Sequence, residues 1–395
     1  MTLHYDFPSN ITFDEVKKLV EDKKEFVIAY KDNYIVVNYL MAGKRTHPIV
    51  IDNDRNAAIL RELRGLIFHK DTGEVIARRF HKFFNFGERE DVMEVDLSKP
   101  HVILEKLDGS MITPFIVDGE LYWGTKMGKT DISHQIEHFI VENPNYELMA
   151  KQLLQIYNCT PIFEWCSNKN RIVIDYPQDR LVLTAIRANT TGSYMPYEPL
   201  SVAAETFNVE LVKKYPGTIE SMENLVKETR ALTDKEGWVI RFDDGHMVKL
   251  KADQYVAMHR AKDSMSKERD VLHIVLDHGE DDLYPLLTTE DVRRLQKFSK
   301  TVWEDILSFY ENMNMKVNHY IRERNWTRKD LGLDNDIFTP TEKSIIFSSW
   351  ENIDFLSVQE VIDYLKKHLS NNYSYLKNKT ILRRSVWKEV NLNEY

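Results

Sequence analysis

His101-Val-Ile-Leu-Glu-Lys-Leu-Asp-Gly-Ser110 is the stretch around which the chain reads. Val102 to Leu104 is a short, β-branched apolar run, the pattern of a buried strand. The strand delivers Lys106, Asp108, Gly109 and Ser110 into a turn, because Asp-Gly is a turn signal. A lysine at the end of a strand, partly desolvated and near other cations, can lose its proton and act as a nucleophile. A surface turn with an exposed lysine would give the same four letters, so the surrounding residues carry the decision.

Those residues have the texture of paired strands. On the N-terminal side, Asp14 to Val20 has helical apolar spacing, and Phe26 to Val37 reads as strand broken at Lys31-Asp32-Asn33. Arg61 to Phe68 and Glu74 to Ala77 flank a hairpin loop at Lys70 to Gly73. If that segment is extended, Glu62 and Arg64 share a face. On the C-terminal side, Phe115–Val117 and Leu121–Trp123 form a hairpin around Asp118-Gly119. Ile132 to Tyr157 is helical with a break at Asn143-Pro144. Strand signals return at Pro161–Trp165, Arg171–Asp175 and Leu181–Ile186. Helical spacing covers Leu200–Lys214 and Ser221–Leu232, and a hairpin joins Gly237–Phe242 to Met247–Lys251. Beyond Asp253 strand signals nearly vanish and helical spacing takes over, as in Asp291–Arg322 and Ser357–Leu369. This predicts a mixed, mostly antiparallel α+β domain over residues 1–255 and a helical domain over residues 256–395.

Composition limits the class. The 395 residues suffice for two or three domains, and 43% hydrophobic with 29% charged residues is ordinary for a globular protein. No apolar run approaches the length of a membrane span, and the N-terminus lacks the pattern of a signal peptide. Only Cys159 and Cys166 are present, which suits two buried thiols in a reducing cytoplasm. A net charge of −9 argues against a surface that coats nucleic acid, but not against local cation patches. Such patches are Arg78 to Lys82, Lys126 to Lys129, Arg322 to Lys329 with Trp326 available for stacking, and Arg383-Arg384.

Several charged residues lie where only a partner would justify them. Lys249 and Lys251 are two apart on a strand, so their ammonium groups share a face. Like charges so placed repel unless solvent or an anion lies between them. Glu164 sits inside the apolar strand Ile162-Phe163-Glu164-Trp165, where an internal salt bridge, a metal or a sugar hydroxyl would satisfy it. Glu236, before Gly237-Trp238-Val239, poses the same question.

Lys106-Leu-Asp-Gly109 has the Lys-x-Asp-Gly pattern of enzymes that form a covalent lysine–nucleotide adduct, the polynucleotide ligases and messenger-RNA capping enzymes. With the segments around it, the chain resembles the ATP-dependent RNA ligases of bacteriophage, of the tRNA-repair type. The resemblance implies an α+β, ATP-grasp-like nucleotidyltransferase domain in which Lys106 is the nucleophile. It implies nucleotide contacts for Arg64 of Glu62-Leu-Arg-Gly65 and for Lys82 of Lys82-Phe-Phe-Asn85. Glu164 of Phe163-Glu-Trp165 would contact the ribose, and Glu236-Gly-Trp-Val239 matches a family Glu-Gly motif. Lys249 and Lys251 would bind phosphate, Lys126 and Tyr39 the nucleotide, and Asp281 of Asp281-Asp-Leu283 a metal. Also implied are ATP, Mg²⁺ or Mn²⁺, and RNA with 5′-phosphate and 3′-hydroxyl ends, such as cleaved tRNA prepared by an end-healing kinase. The C-terminal helical domain would supply RNA specificity. A DNA ligase, a capping-type nucleotidyltransferase and a non-catalytic RNA-end-binding protein share parts of the pattern.

Overall fold

A computed structural model describes residues 3–217, 219, 221–370 and 379–388. The chain divides into two compact units, Met1–Val256 and Ala257–Leu392. The first is α+β with three four-stranded sheets; the second is helical in its described residues.

Helix α1 (Phe13–Val20) starts where the Thr12 hydroxyl accepts the Glu15 N–H, and it buries Phe13, Val16 and Val20. Its apolar face closes over the first sheet, built in order from β1 (Phe26–Tyr30), β2 (Tyr34–Tyr39), β3 (Arg64–His69) and β4 (Val75–Ala77). Helix α2 (Arg55–Glu62) lies between β2 and β3 and is capped by Asp54. The segment around Glu62 is therefore not extended as expected. Glu62 ends a helix, and the next residue but one, Arg64, opens a strand.

The helical placement sends Glu62 inward. Its carboxylate lies 2.7 Å from Arg187 and 3.1 Å from Arg78, and all three side chains have no solvent exposure. Arg78 also donates to the Pro8 carbonyl at 2.8 Å, and Arg79 donates to Thr113 Oγ1 at 2.8 Å. Of the run from Arg78 to Lys82, expected as a cation patch, Arg78, Arg79 and His81 are buried as interior wiring, and Lys82 is only partly buried. The two guanidinium groups and their hydrogen bonds hold the Glu62 carboxyl below its ordinary range against burial, which pushes it up. Glu62→Ala would leave two buried cations without their anion. We expect a loss of about 3–5 kcal/mol, read as a lower urea midpoint at unchanged slope.

The second sheet has the order β10-β9-β7-β8, with β7 (Ser110–Val117), β8 (Glu120–Gly124), β9 (Cys159–Cys166) and β10 (Arg180–Ala188). Helices α3 (Asp131–Glu142) and α4 (Asn145–Gln155) pack on it through Ile132, Ile136, Tyr146 and Met149. The third sheet has the order β5-β12-β11-β6, from β5 (Phe84–Asn85), β6 (His101–Lys106), β11 (Gly237–Phe242) and β12 (Met247–Lys251). Between the named strands the pairings are antiparallel except β5 with β12. Helix α5 (Tyr197–Thr206) is shorter than its sequence pattern. Phe207 and Asn208 form a turn, and the chain beyond them makes bridges at Leu183–Leu211 and Leu104–Lys214. Arg171–Asp175, expected as a strand, is irregular; its amides serve the turn after β6, as described below. Helix α6 (Met222–Arg230) covers β11 and β12 through Leu225.

Helix α7 (Asp253–Ser264) contains the boundary between the units. The second unit then builds its core from α8 (Glu268–Leu276), α9 (Glu280–Leu283), α10 (Thr289–Lys316, continued as π-helix to Glu323), α11 (Arg328–Leu333), α12 (Pro340–Ser348) and α13 (Val358–Leu369). Trp326, expected to be free for stacking, packs on that core with Tyr320 and Phe338. Among the described residues no helix is long and apolar enough to cross a membrane.

Candidate active site

Lys106 is the last residue of β6, where the chain leaves the third sheet for the second. Antiparallel register places Lys106, Gly237 and Lys251 in one row across β6, β11 and β12. Gly237 has φ +143°, and a β-carbon there would lie 2.0 Å from the Leu250 carbonyl oxygen, so no other residue fits without displacing β12. Between the two lysines sits the Glu236 carboxylate, 2.7 Å from Lys106 Nζ and 2.9 Å from Lys251 Nζ. Glu236 is 3% exposed. Burial pushes its carboxyl up, but the two ammonium groups outweigh burial and hold it below the ordinary range.

This changes the expectation for the nucleophile. Burial does push the Lys106 ammonium toward deprotonation, as the sequence suggests. The carboxylates of Glu236 and Glu164, and the hydrogen bond to Glu236, outweigh it and raise the pKa. Lys106 is therefore a protonated, ion-paired lysine in this state.

The turn itself is braced from three sides. Asp108 Oδ2 accepts the N–H groups of Val173 and Ile174 at 2.7 and 2.6 Å, and Oδ1 accepts the Tyr255 hydroxyl at 2.7 Å. The Asp108 N–H donates to the Tyr176 hydroxyl at 3.0 Å. Gly109 lies against β9, where a β-carbon would stand 2.3 Å from the Trp165 carbonyl oxygen. Tyr176, Tyr255 and the two amides were not legible in the sequence, since their distance in the chain from Asp108 leaves no periodic signal.

Glu164 is set on β9 opposite Met111 of β7. Among the described residues it has no ion-pair or hydrogen-bond partner. Burial, together with the nearby Glu236 and Asp108, pushes its carboxyl up to about 7 although Lys106 and Arg64 pull it down. A carboxylate so placed is suited to accept a cation or a sugar hydroxyl.

Cations from the first and third sheets and from two connecting segments collect nearby. Tyr39 ends β2, Arg64 begins β3, and Lys82 lies with its Nζ 5.3 Å from the centre of the Tyr39 ring. Burial raises the Tyr39 hydroxyl, but Arg64, Lys82 and Lys126 outweigh it and lower its pKa. Burial lowers Lys126 and Lys82, and Arg64 lowers both further. Lys249 is lowered well below the ordinary lysine value, first by burial and then by Lys82, Arg64, Lys106 and Lys251. Its Nζ sits 4.6 Å from the centre of the Phe83 ring. None of Arg64, Lys82, Lys126 and Lys249 has a carboxylate within ion-pair distance among the described residues. Such a cluster is self-repelling and is relieved by a polyanion.

The structure thus brings together Tyr39, Arg64, Lys82, Lys106, Lys126, Glu164, Glu236, Lys249 and Lys251. Asp281 belongs to the second unit, where it is exposed on α9, while its neighbour Glu280 turns inward to accept the Ser299 hydroxyl at 2.6 Å. Among the described residues Asp281 belongs to no grouping of three side chains that could hold a metal; the grouping that does exist is His4, Asp244 and His246.

The chain is similar in sequence to known proteins. An RNA ligase family model matches residues 62–255, which runs from Glu62 of the buried triad to Tyr255 of the turn brace. A Thermovibrio ammonificans protein, named as an inferred RNA ligase, is 30% identical over 318 residues, covering 77% of this chain and 80% of that protein. RNA ligase 1 of bacteriophage TS2126 is 26% identical over 202 residues, covering 48% of this chain and 50% of its own length. An archaeal ATP-dependent RNA ligase structure superposes with a TM-score of 0.44 at 16% identity, covering 65% of this chain and 68% of that one. With identity of this level spread over four-fifths of the first relative, the chain belongs to the RNA ligase family.

Proposed function

We propose that the protein seals RNA 5′-phosphate and 3′-hydroxyl ends with ATP through a lysyl-AMP intermediate on Lys106. The observation that carries this reading is the juxtaposition of Lys106 with a buried group of cations that lack carboxylate partners. In the first step the Lys106 nitrogen, once deprotonated, attacks the α-phosphorus of ATP. A P–N bond forms, the bond to the β-phosphate oxygen breaks, and pyrophosphate leaves. The AMP then passes to the RNA 5′-phosphate, and a 3′-hydroxyl displaces it to form the phosphodiester. Negative charge develops in every step, and Lys249, Lys251, Lys82, Lys126 and Arg64 are placed to stabilise it.

Nucleotide contacts follow from position. Tyr39, with Lys82 against its ring, borders the nucleotide, and Glu164 is available to a ribose hydroxyl or to a divalent ion such as Mg²⁺ or Mn²⁺. Such an ion would neutralise polyphosphate charge, and the partnerless Glu164 carboxylate fits it better than Glu236, which two lysines already occupy. Asp281 contributes to metal or RNA contacts of the second unit. That unit supplies RNA specificity, and repair of cleaved tRNA after an end-healing kinase is the role we assign. A viral relative, 28% identical over 302 residues, is named as an inferred bifunctional polynucleotide kinase/RNA ligase.

The test is incubation of the full chain with α-labelled ATP or GTP and Mg²⁺, denaturation, and then ligation of paired RNA and DNA substrates. We expect acid-labile label from ATP and joining of RNA. Label from GTP alone, joining of DNA alone, or RNA binding without label would each replace this reading by one of the alternatives.

A further inference from the structure

At the tip of the β11–β12 hairpin, away from the cation cluster, lies a group of side chains that the ligation chemistry does not use. His4, Asp244 and His246 each present a ligand atom, and the three atoms lie within 4.8 Å of one another. We propose that they form a structural site for a borderline divalent cation of the zinc class, which fastens the N-terminal segment to the hairpin.

The donor set favours this ion. Two imidazole nitrogens and one carboxylate oxygen suit Zn²⁺, Co²⁺ or Ni²⁺, whereas Mg²⁺ and Ca²⁺ prefer oxygen ligands. His246 Nδ1 stands 3.2 Å from Asp244 Oδ1, and His4 Nδ1 contacts Asp244 Oδ2. The His246 side chain is 2% exposed, yet its Nδ1, aimed at Asp244, makes no well-formed hydrogen bond. A buried ring nitrogen that has only this poorly directed carboxylate contact in place of water is under-satisfied, which a cation would correct. The surroundings hold the ligands in place. Phe7 stacks on His246 at 4.7 Å with an interplanar angle of 10°, and Asp244 Oδ1 accepts the His246 N–H at 3.0 Å. Asp244 is about half exposed, so water can complete the coordination.

One contact opposes the ion. The Tyr5 N–H donates to His246 Nε2 at 3.3 Å, a long bond. With a cation on Nδ1 the ring proton moves to Nε2, so the Tyr5 amide must shift and find another acceptor. Binding therefore involves residues 3–5 and competes with protons, weakening as pH falls. The site is separate from the nucleotide pocket. Asp244 follows Phe242, which pairs with His101, while Lys106 pairs with Gly237 at the other end of β11. Five residue steps of strand place the two ends about 17 Å apart.

The experiment uses full-length protein stripped with a chelator and titrated with Co²⁺ and with Zn²⁺. We expect one equivalent bound, a visible Co²⁺ absorption band, and a melting temperature that rises with Zn²⁺ and not with Mg²⁺. His4→Gln and Asp244→Asn should each weaken binding at least tenfold and abolish the Zn²⁺-dependent rise. Lysyl-AMP formation by the metal-free variants should stay at the wild-type level. Asp244 is about half exposed and His4 about one-fifth exposed, and if one variant fails to fold the other carries the test alone. Wild-type affinity weaker than about 0.1 mM, or binding unchanged in a folded variant, would overturn the site and leave a proton-sharing His–Asp cluster.

Discussion

Lys106→Ala is expected to abolish the covalent adduct completely while the protein stays folded. Two features of the structure separate these outcomes. Lys106 has one-fifth of its side chain exposed and makes its ion pair to Glu236 at the edge of the pocket, so its loss opens no cavity in an apolar core. The Glu236 carboxylate keeps a second partner, Lys251, at 2.9 Å, so no buried charge is left alone. No neighbouring amine takes over the reaction. Lys251 shares the row but is held by the same carboxylate, and Lys249 points into the cation group beside Phe83. The change should also block joining of ends with a free 5′-phosphate, but not joining of RNA supplied with its 5′-phosphate already adenylylated, since later steps do not need the nucleophile. The measurement is label retained after denaturation, alongside a melting curve. Label on the variant would locate the nucleophile elsewhere and remove the basis of the proposed function.

Much of this site was readable because strands write their geometry into short spacings. Lys249 and Lys251 had to share a face, and the apolar strand around Glu164 announced a carboxylate out of place. The hairpins at Asp118-Gly119 and Asp243 to Gly245 were marked by their turn residues, and the change to helical texture marked the second unit. What could not be read depends on contacts distant in sequence. Glu62 looks like a strand residue beside Arg64, but Asp54 caps a helix that turns it toward Arg187 across 125 residues. The cations at Arg78 and Arg79 look solvated until that carboxylate and Thr113 are seen to hold them. Residues 171–175 and 207–214 have strand-like and helix-like patterns that tertiary contacts override, the first to serve Asp108, the second to extend the sheets. The charge of Lys106, the proposed nucleophile, is the sharpest case. Nearby lysines suggested a lowered pKa, and Glu236 reverses it from 130 residues away, since Lys106 and Glu236 are brought together only by the pairing of β6 with β11.

That reversal gives the second large effect. A raised lysine pKa means that the nucleophilic, neutral form is scarce at neutral pH. The carboxylate of Glu236 is the largest influence that raises it. The sign follows directly. Below its pKa the neutral fraction of Lys106 grows tenfold for each pH unit, so single-turnover adduct formation at saturating ATP and metal should rise with a slope near one from about pH 6 upward. In Glu236→Gln the charge is gone while the shape remains. The neutral form then appears at lower pH, and the plateau of the profile should move to acid. The plateau height should fall, because Lys251 loses its anion and is free to change position near the phosphates. A purely structural role for Glu236 predicts a lower rate at every pH with the profile unmoved. An unshifted profile in a folded Glu236→Gln protein would mean that the ion pair seen here is broken before the chemical step. A flat wild-type profile would mean that the proton passes within the Lys106–Glu236 pair and never reaches solvent.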